Sequence, residues 1–170
     1  EVLDQIQEYY QKNPEKTRQY AAELAEGIRQ NSMFRTEPLD QSLTHEQIHN
    51  TVKKWSGQFD HKYGGQKGAP KFPLPVNLEF LLHYGFQYGD QEILNHVELT
   101  LTSMARGGIY DQVGGGFARY SVDPIWKVPH FEKMLYDNAQ LIKLYSRAYQ
   151  LFGKETYAQV VRQSIEFIQR

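Results

Sequence analysis

Cysteine is absent from this sequence. That excludes a disulfide framework, a thiolate metal site and cysteine nucleophile chemistry, and it leaves the redox compartment undecided. Also missing is any excess of one charge: 19 Lys and Arg stand against 20 Asp and Glu, a net charge of −1. No bulk field draws the chain to nucleic acid or to an anionic membrane surface, and neither is expected as a partner. No apolar run approaches the roughly 20 residues of a membrane-spanning helix, and no charged-then-apolar segment opens the chain. A cytoplasmic location is therefore the expectation. What is present is 170 residues, 40% of them hydrophobic, enough for a core of ordinary domain size. The chain opens at Glu1 without a methionine and closes at Arg170 with a helical pattern still running, which reads as a piece of a longer protein.

Apolar periodicity predicts an all-α fold. Val2, Leu3, Ile6 and Tyr9 or Tyr10 recur at helical spacing, and Asn13-Pro14-Glu15 then opens a second helix with proline in its first turn. Tyr20, Ala21, Leu24, Ala25 and Ile28 make that helix's single stripe, and polar Gln30 to Gln41, with Pro38, reads as a linker. Leu43-Thr44-His45-Glu46-Gln47 has the form of a staple and capping box, so a second domain is expected to begin near residue 42. Ile48, Val52, Trp55 and Phe59 continue on one face. Further on, the segments around Val76–Tyr88 and Leu135–Phe152 carry two apolar faces, whereas those around Ile93–Ala105 and Tyr157–Ile168 carry one. A two-faced helix needs neighbours on both sides, so the two-faced segments are expected to be the more deeply buried, as an inner layer of helical hairpins sheathed by an outer one. The hairpin turns are the short Gly89-Asp90 and Gly153-Lys154. Long loops precede each inner helix, which predicts that both emerge at the same end.

Those two loops hold the residues least like packing material. In the second, Gly114-Gly115-Gly116 lacks the Lys-Ser/Thr of a phosphate loop, and the glycines read instead as a hairpin turn between Ile109–Val113 and Phe117–Val122. Tyr110, Phe117, Tyr120 and Trp126 can stack on sugar rings, with Arg119 bonding hydroxyls; each can equally plug the end of the helix array. His130-Phe131-Glu132-Lys133 follows Pro129 and is expected to open an inner helix. An imidazole exchanges its proton near neutral pH, so His130 with Glu132 suits proton transfer, although residues two apart do not share a helix face. Asp60, Asp111 and Asp137 add carboxylates for acid and base work, and solvation, ion pairing or capping is the plainer role for each. Lys71, between Pro70 and Phe72, can serve as an activated buried amine or bind a carboxylate, and a structural hydrogen bond or ion pair is its plainer role. His45 and His49 are four residues apart, but no third ligand accompanies them and no metal is expected.

Phe59-Asp60 through Gly64-Gly65 to Ala69-Pro70-Lys71-Phe72-Pro73, Gly108-Ile109-Tyr110-Asp111 with Gly114-Gly115-Gly116-Phe117 and Arg119-Tyr120-Ser121, and Trp126 with Pro129-His130-Phe131-Glu132-Lys133-Met134-Leu135-Tyr136-Asp137-Asn138-Ala139 together carry a resemblance. On these motifs the chain resembles the family of YyaL-type bacterial proteins and spermatogenesis-associated thioredoxin-domain proteins, in which a thioredoxin-like domain precedes a six-hairpin (α/α)6 toroid. Gln66-Lys67 departs from the family's usual aromatic and glycine after the paired glycines. The resemblance implies that residues 1–41 are a helical linker or the tail of the thioredoxin-like domain. It implies that 42–170 are the first hairpins of the toroid, inactive alone and prone to self-association through uncovered inner helices.

Toroids of this kind resemble N-acylglucosamine and cellobiose 2-epimerases and several glycosidases, which implies a sugar-like substrate and no cofactor. The expected catalytic residues are His130, Glu132, Asp111 and Asp60; those expected to bind substrate are Arg119, Tyr120, Trp126, Lys71, Phe117, Tyr110 and Asp137. The alternative is a non-catalytic helical binding or regulatory module attached to a redox domain.

Overall fold

A computed structural model describes residues 2–32 and 42–170, which divide into two units, Glu1–Thr44 and His45–Arg170. In the first unit α1 (Val2–Lys12) and α2 (Pro14–Ser32) follow one another, with Pro14 opening α2 where a missing N–H costs nothing. α2 runs through Ser32, so the first residues of the expected linker are helical; the remainder, including Pro38, lies outside the described residues. The apolar stripes of both helices are exposed, Leu3 at 79% and Leu24 at 55%.

The second unit contains α3 (His45–Ser56), α4 (Pro75–Tyr88), α5 (Gln91–Arg106), α6 (Leu135–Phe152) and α7 (Glu155–Gln169). α3 begins one residue after Thr44, the position a cap occupies. α4 and α5 form one helical hairpin and α6 and α7 another, closed by Gly89-Asp90 and Gly153-Lys154. Asp90 caps α5 by accepting a hydrogen bond from the Ile93 amide at 3.2 Å. α4 packs on α6, and α5 on α7. This is an all-α arrangement of paired helices in two layers, the form expected of part of an (α/α)6 toroid.

In the first hairpin the order of burial differs from the expectation, whereas in the second α6 buries Leu141, Leu144, Tyr145 and Ala148 completely. α5 buries Ile93, His96, Val97, Thr100, Leu101, Met104 and Ala105, while α4 buries only Leu78, Leu81, Leu82, Tyr84 and Gly85. The remaining apolar positions of α4 are bare, Val76 at 63% and Phe86 at 69% exposed, as is Leu135 of α6 at 66%. Apolar composition on two faces states a capacity for burial. A second face is covered only where a neighbour packs on it, and among the described residues these faces have none.

The two long loops, residues 60–74 and 107–134, do meet. Lys71 and Ser121 exchange backbone hydrogen bonds at 2.8 and 2.9 Å, and the Trp126 indole N–H donates to the Tyr63 carbonyl at 2.9 Å. The expected hairpin is reduced to an isolated antiparallel bridge between Tyr110 and Phe117, and no strand occurs among the described residues. Its turn depends on glycine for two reasons at once. Gly115 and Gly116 have φ of 73° and 80°, and a Cβ on them would stand 2.4 Å from the Gln163 carbonyl oxygen and 2.6 Å from the Phe167 ring of α7. Gly115→Ala is accordingly expected to cost about 2 kcal/mol or more, since left-handed strain and a backbone clash add. An unchanged thermal midpoint would show that α7 can give way there.

Candidate functional site

α6 starts at Leu135, so His130 does not open a helix as the proline before it suggested. Residues 129–132 instead pair with the preceding arm of their own loop. The His130 amide donates to the Tyr120 carbonyl at 2.9 Å, and the Arg119 amide donates to the Glu132 carbonyl at 2.8 Å. Between them the Glu132 amide bonds the His130 carbonyl at 2.8 Å, a three-residue γ-turn. The turn throws Phe131 into solvent, 90% exposed, and draws His130 and Glu132 together. A helix would have held those two side chains apart.

The result is a small open cluster. Glu132 Oε2 lies 3.9 Å from His130 Nδ1 and 3.9 Å from Arg119 Nη1, and all three side chains are about half exposed. The imidazole is seated on Tyr120, ring centroids 4.6 Å apart and planes within 18°. Phe72 also packs on Tyr120, ring centroids 4.7 Å apart and planes tilted by 31°. Tyr120 thus has two aromatic neighbours, and its stacking on His130 helps to orient the imidazole, while Phe72 keeps 42% of its surface exposed. Sequence reasoning passed over Phe72 as a site residue; its one signal was an aromatic ring between two prolines.

Asp137, in the first turn of α6, belongs to the same electrostatic group. Its Oδ2 is shielded from solvent and has no hydrogen-bond partner. Burial raises its carboxyl above the ordinary 3.8, the charge of Glu132 pushing the same way and Arg119 opposing. A carboxyl that retains its proton more readily is suited to the acid side of acid–base work.

The other sequence candidates are placed elsewhere. Asp60 accepts from Lys71 Nζ at 2.6 Å and from the Lys62 and Tyr63 amides at 2.9 Å each. Lys71, its side chain only 1% exposed, also donates to the Gly64 carbonyl at 2.8 Å and lies 5.4 Å from the Trp126 ring. Asp111 accepts from Lys133 Nζ at 2.7 Å and from the Val113 and Gly114 amides. Those two amides and the ammonium hold its carboxyl down at about 2, the Gly114 bond contributing most. It lines a cavity of about 360 Å³ with Tyr110, Phe131 and Lys133, to which His130 does not contribute. Tyr110, Phe117 and Trp126 are 3%, 0% and 0% exposed and pack in the core, so none offers a ring face to a ligand in this arrangement. Asn138 bonds both backbone groups of Phe117, accepting from its N–H at 2.7 Å and donating to its C=O at 3.0 Å.

His45 and His49 each bond a tyrosine hydroxyl of α4, Tyr88 and Tyr84, at 2.6 Å. Among the described residues no group of three or more His, Asp or Glu side chains is placed to hold a metal ion, and no helix is long and apolar enough to cross a membrane.

No family model matches the chain. It is 48% identical over 119 residues to spermatogenesis-associated protein 20 of Homo sapiens and 46% identical over 119 residues to that of Mus musculus. Each match covers 66% of this chain and 15% of the relative. An uncharacterized protein of Caenorhabditis elegans is 34% identical over 154 residues, 88% of this chain and 21% of that protein. The chain thus spans about a seventh to a fifth of the length of these relatives. The motif resemblance and the curated relatives agree on the spermatogenesis-associated proteins.

Proposed function

We propose that this chain is part of a carbohydrate-active protein in which the cluster of His130, Glu132, Arg119 and Asp137 handles a sugar. In this reading the helical hairpins are the opening part of a six-hairpin toroid, residues 1–41 connect it to a thioredoxin-like domain, and the protein is cytoplasmic. The observation that carries it is the placement of one Glu132 oxygen 3.9 Å from both a seated, half-exposed imidazole and a guanidinium. Such a group can take a proton from a carbon beside a carbonyl while the cation steadies a substrate oxygen. For a sugar opened to its carbonyl form, His130 removes the C2 proton, the bond's electron pair passes toward the carbonyl oxygen, and a second acid, contributed by the remainder of the full-length protein, delivers its proton to the opposite face and inverts the centre. Phe72 supplies the exposed ring against which the carbon chain can lie.

The test is solvent deuterium incorporation at C2 of glucose-type sugars by the full-length protein. Incorporation is expected, and His130→Gln should slow it by about 100-fold or more, the scale of a lost general base. Absence of incorporation across these sugars, or a His130→Gln protein that works as well, would sink the reading. A second reading, a non-catalytic binding module, draws on the engagement of Asp60 and Asp111 by lysines and backbone amides. Equal binding of a sugar or peptide by the native and His130→Gln proteins, with no exchange, is the outcome that favours it.

A further inference from the structure

Both long loops join α4 and α6 at their N-termini, so the C-terminal halves of these helices lie at the far end of the hairpins from the His130 cluster. Between those halves is a cleft of about 310 Å³ lined by Leu82, His83, Phe86, Arg147, Gln150 and Leu151. Its apolar lining comes from both helices, Leu82 and Phe86 of α4 and Leu151 of α6, with Phe86 69% exposed. Its charged groups are out of balance. Lys143 Nζ lies 3.0 Å from Glu79 Oε1, and Arg147 pairs with the same carboxylate oxygen. Two cations thus share one carboxylate, leaving one positive charge over. Arg147 Nη1 also donates to His83 Nε2 at 2.8 Å. A guanidinium only donates, so that imidazole nitrogen is the acceptor in this contact. Both contacts use Nη1, and the guanidinium's planar fork carries further N–H groups suited to a second carboxylate.

We propose that the cleft between α4 and α6 binds a small apolar carboxylate, an aryl or alkyl acid whose hydrocarbon lies against Leu82, Phe86 and Leu151 and whose carboxylate pairs with Arg147. The volume is at the lower end for small-ligand sites, which suits a body the size of one aromatic ring with a short chain. The C-terminal carbonyls of both helices disfavour an anion nearby. Recognition of the acid therefore rests on Arg147, assisted by Lys143. The proposal does not depend on the sugar reading, since no residue is shared between the two sites.

The probes are 4-phenylbutyrate and its cationic counterpart 4-phenylbutylamine, titrated into the protein by calorimetry, with NMR to locate the shifted residues. The acid is expected to bind and the amine to bind at least about 10-fold more weakly, the scale of a charge-assisted pair. Arg147→Gln should weaken the acid by about 10-fold or more, and Phe86→Ala by several-fold through lost apolar contact. Glu79→Gln should strengthen it, because the resident competitor for Arg147 becomes neutral. Absence of acid binding, equal affinity for the amine, or an Arg147→Gln affinity within about 2-fold of native overturns the proposal. Should Arg147→Gln fail to fold, the opposite signs expected for Glu79→Gln and Phe86→Ala decide the matter.

Discussion

Trp126→Ala is expected to lower the unfolding free energy by about 3–5 kcal/mol, the range for removing a large buried aromatic side chain. Trp126 is fully buried and is the largest such side chain in the second unit. Its contacts are also unusually distributed along the chain. The indole N–H holds the Tyr63 carbonyl at 2.9 Å, its ring approaches Gly65 so closely that a Cβ there would stand 2.8 Å from Cζ2, and its own carbonyl accepts from the Ile109 amide at 3.2 Å. It therefore ties both loops together from inside one of them. Its backbone is held at φ 65°, a conformation that a side chain other than glycine adopts only at a cost. Surrounding contacts must supply that energy, and alanine would retain the cost while losing the contacts. Trp126→Phe separates the parts: it keeps much of the ring and leaves the Tyr63 carbonyl without its donor, for an expected loss of about 1–3 kcal/mol. Denaturant unfolding measures both. A loss below about 1 kcal/mol for the alanine variant would mean that the Lys71–Ser121 pairing alone holds the loops.

Lys71→Met should be nearly as severe, about 3 kcal/mol, because it removes one member of a sequestered ion pair and strands the other. The Asp60 side chain is 15% exposed and would keep only the Lys62 and Tyr63 amides. The pH dependence gives the sign. Burial alone would raise the Asp60 carboxyl, but the Lys71 bond and the two amides more than offset it, and the net shift is downward from 3.8. A depressed carboxylate contributes stability above its unfolded value, and that contribution is lost as pH falls through the folded value. In Lys71→Met the largest opposing influence is gone and burial pushes upward. The gap between native and variant should therefore be full near neutrality and narrow below about pH 4. Adding Asp60→Asn to Lys71→Met should recover part of the loss, since no charge is then stranded. A gap independent of pH would assign the effect to packing of the lysine stem against Trp126.

The helices of the second unit were legible because their signals are local. A glycine followed by a helix-opening residue ends α4 and α6, and apolar spacing marks each segment between. Convergence of the loops was also readable, since it follows from the alternation of long and short connections. The relative burial of α4 and α5 was not. Val76 and Phe86 show that an apolar face is a property of the segment, whereas its cover belongs to the surroundings. The same limit applies to Tyr110, Phe117 and Trp126, whose residue types suit a core and a sugar platform equally well; only their environment separates the two. The turn at His130-Phe131-Glu132 was misread as a helix start because Pro129 is a valid local signal for one. What overrides it is the backbone pairing with Arg119 and Tyr120, residues that local sequence does not connect.

The bonding of Phe117 by Asn138 has a consequence for the order of assembly. Asn138 reaches both backbone groups of a residue 21 positions earlier only once the first turn of α6 exists. Lys71 and Ser121, and Tyr63 and Trp126, are still farther apart along the chain. Loop-closure entropy makes such contacts late, whereas hairpins closed by two residues can form early. The helical pairs are therefore expected to come first and to act as the template on which the loops, with His130 and Glu132, are fastened last.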